Sequence, residues 1–282
     1  MIKKTTCKSL PGMTLLFLTS LLVMAGCRKK QAEETVLPYQ ETANLVYGAD
    51  SLQHYDLFLP AGRNQQTRVI VLIHGGGWVS GEKQDCDYYA MRFARLGFAA
   101  ISMNYRLAND SVHYADMLDD IDSMAVCIRK NAGHWSIGSG QLSLFGYSAG
   151  GHLALLYSYS RDKARAVKSV ISVAGPTNIQ DSLLWHIPWF YQDIKLMTGD
   201  TMPEHWTNGN PVDFVSATNP PTLLIHGSND SLIAVSQSLN LSMLLQASGV
   251  PVKLLVLQNE THFFSAEATF KVIDETKSFI DN

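Results

Sequence analysis

Short apolar runs alternate along most of this chain with longer stretches of helical spacing. Residues 54–59 alternate polar and apolar side chains and stop at Pro60, as a strand does. Residues 69–73 form an unbroken β-branched and leucine run, the pattern of a strand buried on both faces. Residues 98–103, 142–145, 169–174, 222–226 and 252–257 read the same way. Helices are expected near 85–96, 116–131, 149–159, 236–248 and 266–280. Asp85, Asp116 and Ser236 or Ser265 are their N-cap candidates, and Gly97, Gly133 and Gly249 sit where helices should end. This alternation predicts an α/β fold with a mostly parallel central sheet and helices on both faces. Residues 178–217 break the rhythm: they show no strand pattern, yet Trp185, Trp189, Phe190, Tyr191 and Trp206 crowd together there. Such an insertion is expected to form a lid-like binding wall, a local aromatic core, or both.

Composition narrows the picture. A chain of 282 residues, 46% hydrophobic and 17% charged, has the material for one large globular core and is not a disordered chain. Its formal net charge of -3 leaves no basic surplus for non-specific nucleic-acid binding. At the N-terminus Lys3, Lys4 and Lys8 precede an apolar stretch over 13–25, too short to span a membrane comfortably. It ends in Val23-Met24-Ala25-Gly26-Cys27, which resembles the lipobox of bacterial lipoproteins, with Met24 in place of the usual leucine. That resemblance implies a signal peptide over 1–26, a lipidated Cys27, a polar tether over 27–43 and a folded domain over 44–282, anchored by lipid in a bacterial cell envelope. Of the four cysteines, Cys86 and Cys127 then remain; the helices carrying them are expected on opposite faces of the sheet, so both should be free thiols.

The chemistry is carried by three segments. Gly146-Tyr147-Ser148-Ala149-Gly150 follows one predicted strand and opens a predicted helix. That context makes it a nucleophile elbow, in which a sharp strand-to-helix turn exposes the serine Oγ and the Ala149 N–H faces a developing oxyanion. A serine hydroxyl needs a base, and the base needs an orienting acid. His262 and Asp230 each lie beyond the end of a predicted strand, the edge at which α/β sheets place their sites. Asp200 and Asp213 follow no strand and are read as solvated or capping residues, and Glu260 is not needed as the orienter. His74-Gly75-Gly76-Gly77-Trp78 directly follows the run over 69–73 and presents consecutive backbone N–H groups. Gly76, Gly77 and Ala149 are therefore the oxyanion-hole candidates, and His74 is read as a loop-fixing residue. No lysine or Ser/Thr follows to make the glycines a phosphate loop.

With these motifs the chain resembles the α/β-hydrolase superfamily, specifically its esterase/lipase group. Tyr55-Asp56-Leu57-Phe58-Leu59-Pro60, Asn104-Tyr105-Arg106-Leu107 and the segment from Pro220 to Gly227 match stretches common there. Asn109-Asp110 stand where lipase-like members continue with Pro-Glu, which favours the branch of secreted carbohydrate-ester esterases. The resemblance implies an acyl-enzyme mechanism through Ser148, His262 and Asp230 on acetyl, feruloyl or other short-chain esters, small or carried by an oligosaccharide. Arylformamidase or small-peptidase activity on the same fold is the alternative. Trp78 and Tyr147 are the substrate-wall candidates. No metal-ligand spacing or dinucleotide-binding context is present, so no cofactor is expected.

Overall fold

The computed structural model describes residues 36–282 apart from Gln141 and His186. The expected signal peptide, Cys27 and most of the expected tether lie outside the described residues. Eight strands form one sheet in the order β1-β2-β4-β3-β5-β6-β7-β8. They are β1 (Gln40–Val46), β2 (His54–Leu59), β3 (Val69–Ile73), β4 (Ala99–Met103), β5 (Leu142–Tyr147), β6 (Val167–Val173), β7 (Thr222–Gly227) and β8 (Val252–Leu257). From β4 onward every neighbouring pair is parallel, while β1 and β2 attach antiparallel at one edge. The helices are α1 (Asp87–Arg95), α2 (Tyr114–Trp135), α3 (Ala149–Leu156), α4 (Ser182–Trp185), α5 (Pro188–Thr198), α6 (Ser236–Ala247) and α7 (Ala266–Asp281).

Strand periodicity sorts the core into two layers. Val69, Val71 and Ile73 face a layer built with α2, α3 and α6, whereas Ile70 and Leu72 face α1 and α7. Both faces are covered, which is why the central strands read as continuous apolar runs. Cys86 belongs to one layer and Cys127 packs on the other, and both are free thiols. One buried ion pair, Lys83 Nζ to Asp56 Oδ2 at 2.8 Å, crosses from the turn before α1 to β2.

Three expectations need correction. Gln40–Val46 forms a strand, so the ordered chain starts ahead of residue 44; its mostly exposed side chains and a bulge between Thr42 and Leu45 hide the alternation. Gly133 lies within α2, which ends at Ser136 in a left-handed conformation (φ 56°). Asp85 and Asp116 are not N-caps but third-position partners in capping boxes begun by Glu82 and His113. Ser265 does cap α7, accepting from the Ala268 N–H. In the insertion, α4, α5 and two 3-10 turns replace any strand. Leu184, Phe190, Ile194, Met197 and Trp206 are buried against the α2/α3/α6 layer, so the segment is a packed wall with its own aromatic core.

Candidate active site

Ser148 stands between β5 and α3 with φ 54° and ψ -120°, backbone angles that cost about 1–3 kcal/mol for a residue with a Cβ. Close packing around the turn holds it there. A Cβ on Gly146 would lie 2.1 Å from the Gly150 carbonyl oxygen, and one on Gly150 would lie 2.0 Å from that of Ile73. The Ser148 N–H donates to the Val173 carbonyl at 2.8 Å, tying the elbow to β6.

The partners arrive from the ends of the next strands. Asp230 follows β7, and its Oδ1 accepts from the N–H groups of Leu232 (2.9 Å) and Ile233 (2.8 Å). Its Oδ2 lies 2.8 Å from His262 Nδ1 and 3.3 Å from His226 Nε2. Burial alone would raise this carboxyl, but the donors on His226 and His262, the charge on His262 and the Ile233 N–H outweigh it and hold the group well below the usual carboxylate range. An ionised Asp230 is acceptor-only, so His262 Nδ1 carries the proton and donates. His262 Nε2 lies 2.9 Å from Ser148 Oγ, and in the neutral imidazole it presents its lone pair there. The loop carrying His262 is fixed twice: Tyr147 donates its hydroxyl proton to the His262 carbonyl, and Glu260 accepts from the Ser265 N–H at 2.8 Å and its Oγ–H at 2.6 Å. Glu260 is thus a loop brace, while Asp200 and Asp213 bond within the insertion, to His205 and Asn210.

The loop after β3 closes the site. Gly75, Gly76 and Gly77 line the same cavity as Ser148, and the N–H groups of Gly76, Gly77 and Ala149 donate to no described residue. His74 is fully buried, stacks on Tyr105 (centroids 4.3 Å apart, 15° between planes) and has its Nδ1 2.8 Å from the Gly75 carbonyl. Burial lowers its pKa to about 4, so it is a neutral strut. Tyr105 also donates its hydroxyl proton to the His74 carbonyl at 3.2 Å. Its neighbour Arg106 is held by the buried Asp120, with Nη2 to Oδ1 at 2.7 Å. The Asn104-Tyr105-Arg106 segment therefore supports the glycine loop from beneath.

Trp78 is not a substrate wall. It is fully buried, stacked on Phe190 (5.4 Å, 27°), and its indole N–H donates to His152 Nδ1 at 3.2 Å. Because indole is a donor only, Nδ1 of His152 accepts, and its Nε2–H donates to the Gly209 carbonyl at 2.7 Å. Burial lowers His152 to about 4. An aromatic residue after a glycine loop can turn either way, and its partner His152 gives no pattern that announces the bond. Tyr147, by contrast, does line the cavity.

The cavity measures about 730 Å³. Ser148 and His262 reach it, Tyr89 and Phe264 wall it from the α1/α7 side, and Trp189, Phe190 and Asp193 wall it from α5. Ser148 and His262 are 8% and 5% exposed, so a reactant meets them through this opening, while Asp230 (8%) lies behind His262. Asp193 had no signal in the sequence, being a single carboxylate in a helical insertion. Among the described residues no group of three or more His, Cys, Asp or Glu side chains is placed to hold a metal ion.

The family model described as BD-FAE matches residues 55–245, a span that contains the glycine loop, the elbow and Asp230. The chain belongs to the BD-FAE family. This BD-FAE chain is 24% identical over 241 residues to a probable isoprenylcysteine alpha-carbonyl methylesterase of Oryza sativa subsp. japonica, covering 79% of this chain and 58% of the relative. It thus spans less than two thirds of the length of the curated relatives it matches first. A truncated carbohydrate esterase from gut microbiota superposes with a TM-score of 0.74 at 20% identity, covering 89% of this chain and 99% of that one. Thermogutta terrifontis esterase 2 phosphonylated by sarin gives 0.70 at 20%, covering 84% and 93%. The architecture of this family member is the α/β-hydrolase fold.

Proposed function

We propose that the protein is a serine carboxylic-ester hydrolase working through an acyl-enzyme. The observation that carries this reading is the relay from Ser148 Oγ to His262 Nε2 (2.9 Å) and from His262 Nδ1 to Asp230 Oδ2 (2.8 Å). It opens beside backbone donors that no described residue uses. His262 takes the Ser148 proton as Oγ attacks the ester carbonyl, while Asp230 steadies the imidazolium. The oxyanion is received by the Gly76, Gly77 and Ala149 N–H groups, each worth about 3 kcal/mol of transition-state stabilisation. The imidazolium returns its proton to the departing alcohol. Water, activated by the same imidazole, then cleaves the acyl-serine and releases the carboxylic acid.

The substrate reading is a short acyl ester, acetyl or feruloyl, of a carbohydrate. It is supported by the cavity's mixed aromatic and polar walls and by the likeness to a gut carbohydrate esterase. The test is turnover of p-nitrophenyl acetate, acetylated xylan and a methyl ferulate by wild type and Ser148→Ala. Wild-type turnover is expected to vanish in the variant; a variant retaining more than a few per cent refutes the nucleophile. Turnover of p-nitrophenyl acetate but of neither polysaccharide nor ferulate ester refutes the carbohydrate reading. We further infer from the lipobox-like Val23–Cys27 stretch that Cys27 carries lipid and holds the enzyme on a cell-envelope membrane. Cys27→Ser should move it to the soluble fraction; unchanged fractionation refutes the anchor.

A further inference from the structure

The wall contributed by α5 carries a pair of side chains that the hydrolytic machinery leaves unused. Trp189 and Asp193 are one helical turn apart, and both line the cavity that holds Ser148 and His262. Phe190 between them is buried against Trp78, which fixes the rotation of α5 and aims the other two at the opening. Trp189 remains 55% exposed, and the aromatic ring against it among the described residues is the edge of Phe190 (5.6 Å, 76°). A large indole left this open on a cavity wall is a free stacking face.

Asp193 is placed as closely. A Cβ on Gly77 would stand 2.7 Å from Asp193 Oδ2, so the carboxylate lies against the loop of backbone donors. Burial alone pushes its carboxyl up to about 6, and among the described residues neither a cation nor a hydrogen-bond donor pulls it back. At neutral pH it is therefore mostly an ionised acceptor with unfilled lone pairs. Among the described residues its side chain makes no hydrogen bond or ion pair, and a negative charge beside an oxyanion loop opposes the chemistry rather than assisting it. Such a group is open to a ligand that brings hydrogen-bond donors, and on a wall shared with a free indole face a sugar ring brings both a stacking face and hydroxyls.

We propose that Trp189 and Asp193 form a sugar-reading pair, in which the indole stacks on the face of a neutral sugar ring in the alcohol part of the ester and the carboxylate accepts hydrogen bonds from that ring's hydroxyls. The inference rests on the ester-hydrolase reading and sharpens it. The pair selects neutral polyol esters and turns away uronate esters, because a second carboxylate would face Asp193 across a partly desolvated gap.

The test compares full-length wild type, Asp193→Asn, Asp193→Ser and Trp189→Ala. The substrates are an acetylated methyl xyloside, an acetylated glucuronate, acetylcholine and p-nitrophenyl acetate. In wild type the xyloside ester is expected to outrun both charged esters. In Asp193→Asn and Asp193→Ser the ratio of kcat/KM for the xyloside ester to that for p-nitrophenyl acetate should fall about tenfold, through KM, as loss of a hydrogen bond to a charged group implies. The discrimination against the glucuronate ester should shrink with it. Trp189→Ala should raise KM for the xyloside ester. A ratio that stays constant in both Asp193 variants overturns the proposal, and so does a wild-type preference for acetylcholine, which would make Asp193 a cation reader. Wild type inert on p-nitrophenyl acetate is a different failure, that of the hydrolase reading itself.

Discussion

At position 150 the first turn of α3 passes against the end of β3, and the space between them is smaller than a methyl group. The carbonyl oxygens of Ile73 and His74 would lie 2.0 and 2.5 Å from a Cβ there. Backbone atoms cannot step aside as a side chain does, so Gly150→Ala has to push α3 off β3. We expect a loss of about 1–3 kcal/mol in stability. We also expect a larger loss of turnover than unfolding explains, because Ala149 and Ser148 move with the helix. Urea unfolding and p-nitrophenyl acetate turnover per folded molecule measure the two effects; wild-type turnover in a folded variant refutes the argument. The residues of the relay were legible because each follows its own strand: Ser148 after β5, Asp230 after β7, His262 after β8. Trp78 carries no such mark, because its place in the core depends on His152 and Phe190, distant positions that only packing brings to it.

Among the elements, legibility followed burial. β3 is buried at every position, and its unbroken run of Val, Ile and Leu has no other reading at that length. β1 escaped because only two of its positions are even partly buried and Asn44, in a left-handed conformation (φ 57°), breaks its register. Such an edge is held mainly by its ladder to β2, with Leu45 its one apolar side chain packed on the core, and a ladder leaves no trace in composition. In α2, Gly133 suggested a stop, yet Trp135 and Ile137 beyond it are core residues, and their burial offsets the cost of about 1 kcal/mol for a helical glycine. The insertion was recognisable as an interruption, while α5 and its inward Phe190 were not. Its cavity-facing side mixes Trp and Asp, so no apolar stripe marks it.

For the molecule as a whole, two buried histidines set the acid side of stability. His74 and His152 are pushed from 6.5 down to about 4 by burial, so they stay neutral when folded and protonate readily when unfolded. As pH falls below the ordinary histidine value the unfolded chain gains protons that the folded one refuses, and stability drops by about 1.4 kcal/mol per pH unit per histidine. The loss ends where the folded histidines themselves titrate, near 4. Asp230, held low, adds its own loss only below the ordinary carboxylate value of 3.8. Asp87 and Asp193, raised to about 6, act in the opposite sense between 6 and 3.8, but solvent reaches both and weakens their effect. The urea midpoint should therefore be lower at pH 5 than at pH 7, and His152→Gln should flatten the difference; a midpoint equal or higher at pH 5 in wild type refutes this. The insertion adds no strand to the sheet, and its anchors include Phe190 stacked on Trp78 of the glycine loop and the Gly209 carbonyl bonded to His152 of α3. One wall of the cavity can therefore be rebuilt by changes within a single contiguous stretch while the strand order that carries Ser148, Asp230 and His262 stays as it is, provided that these anchors are kept.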